Sequence, residues 1–486
     1  MSKKLIRCLT FLSGLFVVLL ILGLLVNDIQ LIDGDRIGKD ATQNVNYSVN
    51  LAKFGIYSGQ PIARDVVPEY RREPLPNFLL AGYLRSVDLI WPDYLDQVGQ
   101  PFRDSFLVLI KRLNLLWALL LFLGLWATSQ LVISPLLAAH LLSCMQILVV
   151  NNFFIAKVIG EMDTELIAGA TMVWLGVALL QAFRRTSLRW LFAGGVVFGL
   201  LALTKSSGAY VALVVLPLVT VLISGFRKQF WTLLLAVSLG FLLTVSPWLL
   251  RNQLQFSKPV IADGGGDVLL IRSVFNQMNG QQRLDAIYAY APREMRRDVL
   301  GPLMGLSDQD FSCNGRLNIF NRKLDCDAQA LEQRRFGDVR SFYQRGGRAL
   351  PRQLGLDSDQ KKEYALRVFR NDPMALIAAA LPFAWRGFWG FRVDEWFAVY
   401  WNIAAFSALL LAPVMACIER RVSWLLVSIV PLAYYLFYSL VSHFLPRYSS
   451  PFVPSAMICL SMLAIDLFSR LSAHLWPNCM SLGRLR

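Results

Sequence analysis

What most constrains this chain is a succession of apolar runs, each close to the length of a membrane crossing. The first, 8–26, reads "CLTFLSGLFVVLLILGLLV" and follows Lys3, Lys4 and Arg7. Nine more fall near 106–128, 131–150, 164–183, 189–204, 208–224, 230–248, 396–417, 423–441 and 450–470. A bilayer core takes about 20 helical residues, and a helix satisfies its own backbone hydrogen bonds where no water is present. The pattern predicts an all-α polytopic membrane protein of about 10 spans, with 374–390 as a possible eleventh. The first run lacks a small-residue cleavage site and reads as a retained anchor.

The net charge of +15 is explained by topology, not by a nucleic-acid partner, because the basic residues sit at the ends of apolar runs. With the N-terminus cytoplasmic, "SKKLIR", "RRTSLR", "GFRKQF", "ERR" and "GRLR" all fall inside, as the positive-inside rule requires. Both termini are then cytoplasmic. Segment 374–390, "MALIAAALPFAWRGFWG", would reverse everything after it if it crossed. It is therefore read as a helix in the interface, with Trp385, Phe388 and Trp389 at headgroup level.

This topology divides the chain into an N-terminal module, 1–248, with a large outside loop at 27–105, then an outside loop subdomain, 249–373, then an interfacial helix and C-terminal module, 374–486. The middle segment, rich in Arg, Asp and Gln, is expected to form a small subdomain of mixed secondary structure. Cys313 and Cys326 lie within it and suit a disulfide in an oxidising compartment. The other five cysteines are read as packing residues. Only His140, His443 and His474 occur, so a histidine-built zinc site is not expected. Gly194, Gly195 and Gly199 suit close helix packing. The glycines of "DGGGDVLLIRS", 263–273, suit either a turn or an approach to phosphate or sugar.

The first outside loop carries chemistry. "GKDATQNVNYSVNLAKFGIYSG", 38–59, predicts a helix with Asp40 as N-cap and Gly55 as C-cap. Ala41, Val45, Val49 and Ala52 form one stripe; Asp40, Asn44, Tyr47, Leu51 and Phe54 form the next. Such a helix is expected to lie on the membrane surface, though Asp40 as a simple cap is the plain alternative. "PEYRREPLPNFLL", 68–80, offers Arg71 and Arg72 as forked phosphate ligands; the alternative is ion pairing with Glu69 or Glu73. Further ionisable residues at the outer margin are Glu161, Asp163, Glu165, Lys205, Arg251, His443 and Arg447, functional candidates by position. Snorkelling is the alternative for Lys205 and Arg251.

These stretches resemble a family. The acid after the first span, followed by "YRREPLPNFLLAGYL", is similar to the first outside loop of GT-C-fold glycosyltransferases, in the branch of protein O-mannosyltransferases and the bacterial lipid A aminoarabinose transferase. "GEMDTELIAGATMVWL", "PWLLRNQLQF" and "HFLPRYSSPFVP" resemble its second outside loop, its Pro-Trp-x-x-Arg-Asn and its late Arg-Tyr with spaced prolines. The resemblance covers the chain up to about 275 and again over 380–470, and does not extend to segment 276–373.

The resemblance implies sugar transfer from a polyprenyl-phosphate or dolichyl-phosphate carrier to a lipid, glycan or protein acceptor. The site would be extracytoplasmic, in a bacterial inner membrane. Asp40 falls on the catalytic acid, with Asp33 and Asp35 as rivals, and Glu165 on a helper acid. Arg72 falls on the basic position that meets the donor phosphate, and Arg71, Arg251 and Arg447 are further candidate donor-phosphate contacts. Asn44, Tyr47, Glu161, Asp163, Lys205, His443 and Tyr448 are candidate substrate contacts. One carboxylate acting as base in an in-line attack would invert the anomeric configuration. That branch needs no metal, so no cofactor is expected, although paired acids suit a divalent ion. Rival readings are a lipid-linked-sugar transporter or flippase, and a polysaccharide polymerase or ligase.

Overall fold

The computed structural model describes residues 3–35, 37–225, 228–391 and 395–475. Every predicted apolar run lies on a helix. Among the described residues, eight helices have the length and apolarity to cross a membrane: Lys4–Gln30, Asp104–Val132, Leu136–Val158, Glu165–Arg185, Phe230–Phe256, Trp396–Glu419, Ser423–Val441 and Pro446–Leu471. Leu188–Thr204 and Gly208–Ser224 are shorter, at 17 residues each. The chain is an integral membrane protein by this measure. Its helices differ sharply in environment. The first is only 11% buried and presents Phe11, Leu12, Phe16 and Leu19 outward, whereas Glu165–Arg185 is 83% buried and central.

Two compact units form, neither continuous in sequence. The first comprises Met1–Ile261, Ala404–Leu432 and Ser450–Arg486. In it, α1 (Lys3–Gln30), α2 (Lys39–Phe54) and α3 (Pro74–Ile90) frame the first outside loop. Val45, Val49 and Ala52 of α2 pack against Leu80, Ala81 and Leu84 of α3 and against Phe106, Leu107 and Ile110. The predicted apolar stripe is therefore the buried one.

Two expectations about α2 need correction. Its N-cap is Gly38, so Asp40 stands inside the first turn and not at the N-cap position, although a carboxylate there still favours the helix dipole. Nor does α2 lie on a surface, for Asn44, Asn46, Tyr47, Ser48 and Asn50 are buried as well. Ser48 Oγ donates to Asn44 O within the helix (2.8 Å), and the loop that follows meets others: Asn50 Nδ2 donates to Ser58 O and Gln60 O, both at 3.0 Å. Asn46 donates to Gly59 O (3.2 Å) and accepts from Gln100 (2.6 Å), so its amide is enclosed. Gly55 closes the helix as predicted, in the left-handed region at φ 70°.

The second unit comprises Ala262–Ile403 and Ala433–Ser449. The expected mixed subdomain is instead helical, with no strand among the described residues. Gln, Arg, Glu and Ala are good helix formers, and capping boxes at Asn279 and Asp357 start two of the helices. Gly265–Phe275 crosses Ser358–Asn371 closely: a Cβ on Gly266 would stand 2.6 Å from Ser358 O. Helix packing thus accounts for one of the glycines at 263–273. Cys313 and Cys326 form a disulfide, as expected.

The Pro373–Phe388 helix turns an apolar edge outward through Met374, Ile377 and Leu381. Trp389 is buried, and Trp385 Nε1 donates to Ile287 O (2.8 Å).

Candidate active site

The first turn of α2 and the segment before α3 meet at Asp40 and Arg72. Arg72 Nη2 donates to Asp40 Oδ1 at 2.6 Å. The same guanidinium grips Gln43 Oε1 through Nε (3.0 Å) and Nη2 (2.7 Å). Gln43 sits three residues after Asp40, one helical turn on, so both face the arginine. The carboxylate keeps 44% exposure and the guanidinium 23%. The pair is half-open and able to receive a ligand.

Arg72 therefore ion-pairs with neither Glu69 nor Glu73, because each acid has another task. Glu69 Oε2 accepts from Tyr47 OH (2.8 Å) and Gly59 N (3.0 Å). Burial, and then Glu69, push the Tyr47 phenol well above its ordinary pKa, so it stays protonated and donates. Glu73 Oε1 accepts from Ser206 Oγ at 3.0 Å. Tyr57 OH donates to the carbonyls of Arg72 (3.0 Å) and Glu73 (3.1 Å), and Asn77 donates to Tyr57. The arginine's backbone is thus held from below by a buried tyrosine.

Ser206 links this segment to a second pair. Lys205, next to it, donates through Nζ to Glu165 Oε1 at 3.0 Å, with exposures of 15% and 6%. Glu165 opens the Glu165–Arg185 helix and Lys205 closes Leu188–Thr204. Lys205 is therefore committed to Glu165 and does not snorkel. Breaking a buried pair leaves an uncompensated charge. Glu165→Gln is expected to lower stability by about 3 kcal/mol, and Glu165→Gln combined with Lys205→Met to restore most of it. Thermal melts of the three proteins in one detergent check this; equal melting of both variants would show that the pair is not coupled.

Arg251, near the end of Phe230–Phe256, donates to Glu69 O (2.9 Å) and Asn252 Oδ1 (2.7 Å). Its guanidinium lies 4.7 Å from the Trp248 ring centroid and 5.0 Å from that of Phe256. Its donors bear on the Glu69 segment, while Arg71 is exposed. Asn44 is buried and donates to Met162 O (3.4 Å), tying α2 to the loop of Glu161 and Asp163, both half-buried.

Of the rival acids, Asp33 accepts from Lys111 Nζ at 2.8 Å. Lys111 is buried and also meets the carbonyls of Asp33 (3.1 Å) and Asp35 (3.2 Å). That ammonium holds the Asp33 carboxyl below the usual carboxylate range. Asp33 is thus the partner of a buried cation, a role hidden in sequence because Lys111 lies within an apolar run.

His443, Arg447 and Tyr448 belong to the second unit. His443 is buried, its ring 5.4 Å from Tyr343 and 5.9 Å from Tyr448. Arg447 is exposed, 5.7 Å above the Tyr448 ring. Sequence reasoning passed over Gln43, the Glu73–Ser206 link and Lys111. Of these only Gln43 had a signal, its spacing from Asp40. Among the described residues, no three His, Cys, Asp or Glu side chains gather to hold a metal.

No family model matches the chain and no curated protein is similar to it. Solved structures of the oligosaccharyltransferase from Archaeoglobus fulgidus are similar over much of its length. One, complexed with Zn and sulfate, shares 10% identity over 96% of this chain and 52% of its own, with a TM-score of 0.48. A second, named AglB and complexed with an inhibitory peptide and a dolichol-phosphate, shares 11% identity over 96% and 52%, with a TM-score of 0.49. A third, tethered to an acceptor peptide containing the NVT sequon, shares 12% identity over 94% and 50%, with a TM-score of 0.49. The chain spans about half the length of these structures.

Proposed function

We propose that the chain is a membrane glycosyltransferase that moves a sugar from a polyprenyl-phosphate or dolichyl-phosphate carrier to an acceptor outside the cytoplasm. The observation that carries this reading is the half-open Asp40–Arg72 pair, braced by Gln43. A sugar on a lipid phosphate already has a good leaving group. The work left is to take a proton from the acceptor and to stabilise the departing phosphate. Asp40 suits the first task and Arg72 the second. Gln43 and Asp40 occupy Nε and Nη2 of Arg72, which leaves its Nη1 edge for a phosphate oxygen.

In the reaction, the acceptor oxygen or nitrogen attacks the anomeric carbon and its proton passes to Asp40. The bond from that carbon to the phosphate oxygen breaks, and the lipid phosphate leaves as an anion beside Arg72. A single in-line displacement inverts the anomeric configuration. Glu165 acts as a positioning residue through Lys205 and Ser206. The Cys313–Cys326 disulfide supports an oxidising compartment for the second unit, in keeping with the positive-inside assignment. No cofactor is part of this reading.

The test is transfer of radiolabel from a panel of polyprenyl-phosphate sugars to crude envelope acceptors by the purified protein in detergent. Transfer of one sugar is expected. Binding of a donor without transfer would overturn the enzyme reading in favour of a carrier of lipid-linked sugars.

A further inference from the structure

The second unit concentrates positive charge in a way that the proposed reaction does not use. Arg272, on Gly265–Phe275, is completely buried. Its Nη1 reaches Asn276, its Nη2 donates to Leu376 O (2.8 Å), and its guanidinium lies 4.8 Å from the Phe383 ring centroid. Arg386 lies 4.3 Å from the Tyr290 ring centroid and donates through Nη1 to His443 O at 3.0 Å. Arg322 lies 4.1 Å from the Tyr343 ring, and that ring stands edge-on to His443. Arg322 sits inside the loop closed by the Cys313–Cys326 disulfide, which limits where its guanidinium can go.

Two features set this group apart from ordinary surface arginines. First, among the described residues none of Arg272, Arg322 and Arg386 has an ion pair with an acid, unlike Arg72, Arg316 and Arg421. Their neighbours are aromatic rings, amides and backbone carbonyls. Burial lowers the Arg272 pKa to about 9, which still leaves it charged near neutrality. Burial, and then the surrounding arginines, push His443 well below its ordinary value, so the imidazole is neutral and offers no fourth cation. Second, several polar atoms at the same place have no protein partner: Tyr290 OH, His443 Nδ1, Arg272 Nε and Asn276 Nδ2. Arg322 is exposed and Arg386 half-buried, but for Arg272 charge enclosed without a counter-ion is costly, and so is an enclosed donor without an acceptor. An oxyanion accepting several charge-assisted hydrogen bonds relieves both.

We propose that Arg272, Arg322 and Arg386, with the Tyr290 hydroxyl, form an anion site in the second unit for an oxyanion of the phosphate class. The chemistry selects phosphate oxygens by number and charge, because three guanidiniums offer more donors than one carboxylate can satisfy. The site does not depend on the transferase reading. It rests on residues that lie mainly in segment 262–391 and on none of the Asp40 group.

The test uses the full chain in detergent at fixed ionic strength, with chloride as the balancing salt. Inorganic pyrophosphate and a short-chain prenyl phosphate are titrated separately, and binding is followed by calorimetry and by melting temperature. Saturable binding is expected in the wild type. Arg322→Gln, at an exposed position, is expected to weaken it about tenfold, the equivalent of about 1.4 kcal/mol, with the melting temperature in the absence of phosphate unchanged. Arg386→Gln provides a second variant, and Arg367→Gln, an exposed arginine paired with Glu363, is the control expected to bind as wild type. Arginine-sensitive binding of pyrophosphate supports a site open to free phosphate. Arginine-sensitive binding of the prenyl phosphate alone supports the site and identifies a lipid source. No saturable binding of either probe, or binding indifferent to both Arg322 and Arg386, overturns the proposal.

Discussion

Asp40→Asn is expected to cut sugar transfer by about 10²- to 10⁴-fold, the usual contribution of a positioned general base, while the melting temperature barely moves. The two halves follow from one geometry. Asparagine keeps the shape of aspartate and still accepts from Arg72, and a half-exposed ion pair is worth only about 0–1 kcal/mol. Asparagine cannot, however, take the acceptor's proton. Asp33→Asn should behave in the opposite way, because Asp33 accepts from the buried Lys111. Removing its charge leaves an enclosed ammonium short of a counter-ion and costs stability more than rate. The decisive readout is initial transfer rate per folded protein for both variants. A fast Asp40→Asn beside a slow but well-folded Asp33→Asn would move the base to Asp33. Arg72→Lys is expected to slow transfer too, since lysine keeps the charge but loses the fork that holds Gln43 and Asp40 together.

Much of the fold was legible because a bilayer imposes its demands on sequence directly. Runs of apolar residues, basic ends and breaks at polar turns each mark a helix boundary, and all ten runs lie on helices. The α2 stripe of Ala41, Val45, Val49 and Ala52 was legible for the same reason. Its opposite side was not. Asn44, Asn46, Ser48 and Asn50 look solvated in sequence, yet they are enclosed: carbonyls of nearby loops accept from the three asparagines, and Asn44 O of the same helix accepts from Ser48. Local pattern cannot distinguish a polar face that meets water from one that meets backbone.

The partner of Arg72 was hidden for a related reason. Glu69 and Glu73 lie within three residues, whereas Asp40 lies 32 away, and only packing of α2 on α3 selects it. In the second unit the polar segment 276–373 carried no family pattern, and nothing in the sequence set Arg322 apart or joined it to Arg272 and Arg386 on either side. That they gather on aromatic rings is a tertiary fact. The aromatic cluster of Trp385, Phe388 and Trp389 after an apolar run suits a membrane interface and a buried corner equally well, and only packing shows that Trp389 is enclosed by protein.

Gly240→Ala is expected to destabilise the protein by about 3 kcal/mol or more, at the upper end of overpacking costs, although it adds a single carbon. The helices Leu188–Thr204 and Phe230–Phe256 cross backbone to backbone at two glycines. A Cβ on Gly195 would stand 2.0 Å from Val237 O, and one on Gly240 would stand 2.2 Å from Phe192 O. Those are main-chain atoms in helices, so no side chain can rotate away and the helices must part. Gly199 extends the seam, its Cβ falling 2.6 Å from Thr244 Cβ. The consequence reaches the candidate site, because one helix ends at the Lys205–Ser206 turn that holds Glu165 and Glu73, while the other carries Arg251. Parting them shifts both, so transfer should fall along with stability. Gly176→Ala supplies the opposite sign. Nothing lies within 4 Å of a Cβ there, and alanine in a helix interior is better than glycine by about 0.5–1 kcal/mol. The two variants make the same chemical change, so a shared detergent melt compares them without correction. A Gly240→Ala protein that melts with the wild type would mean that the helices do not cross at that seam, and the placement of Lys205 and Arg251 would have to be given up with it.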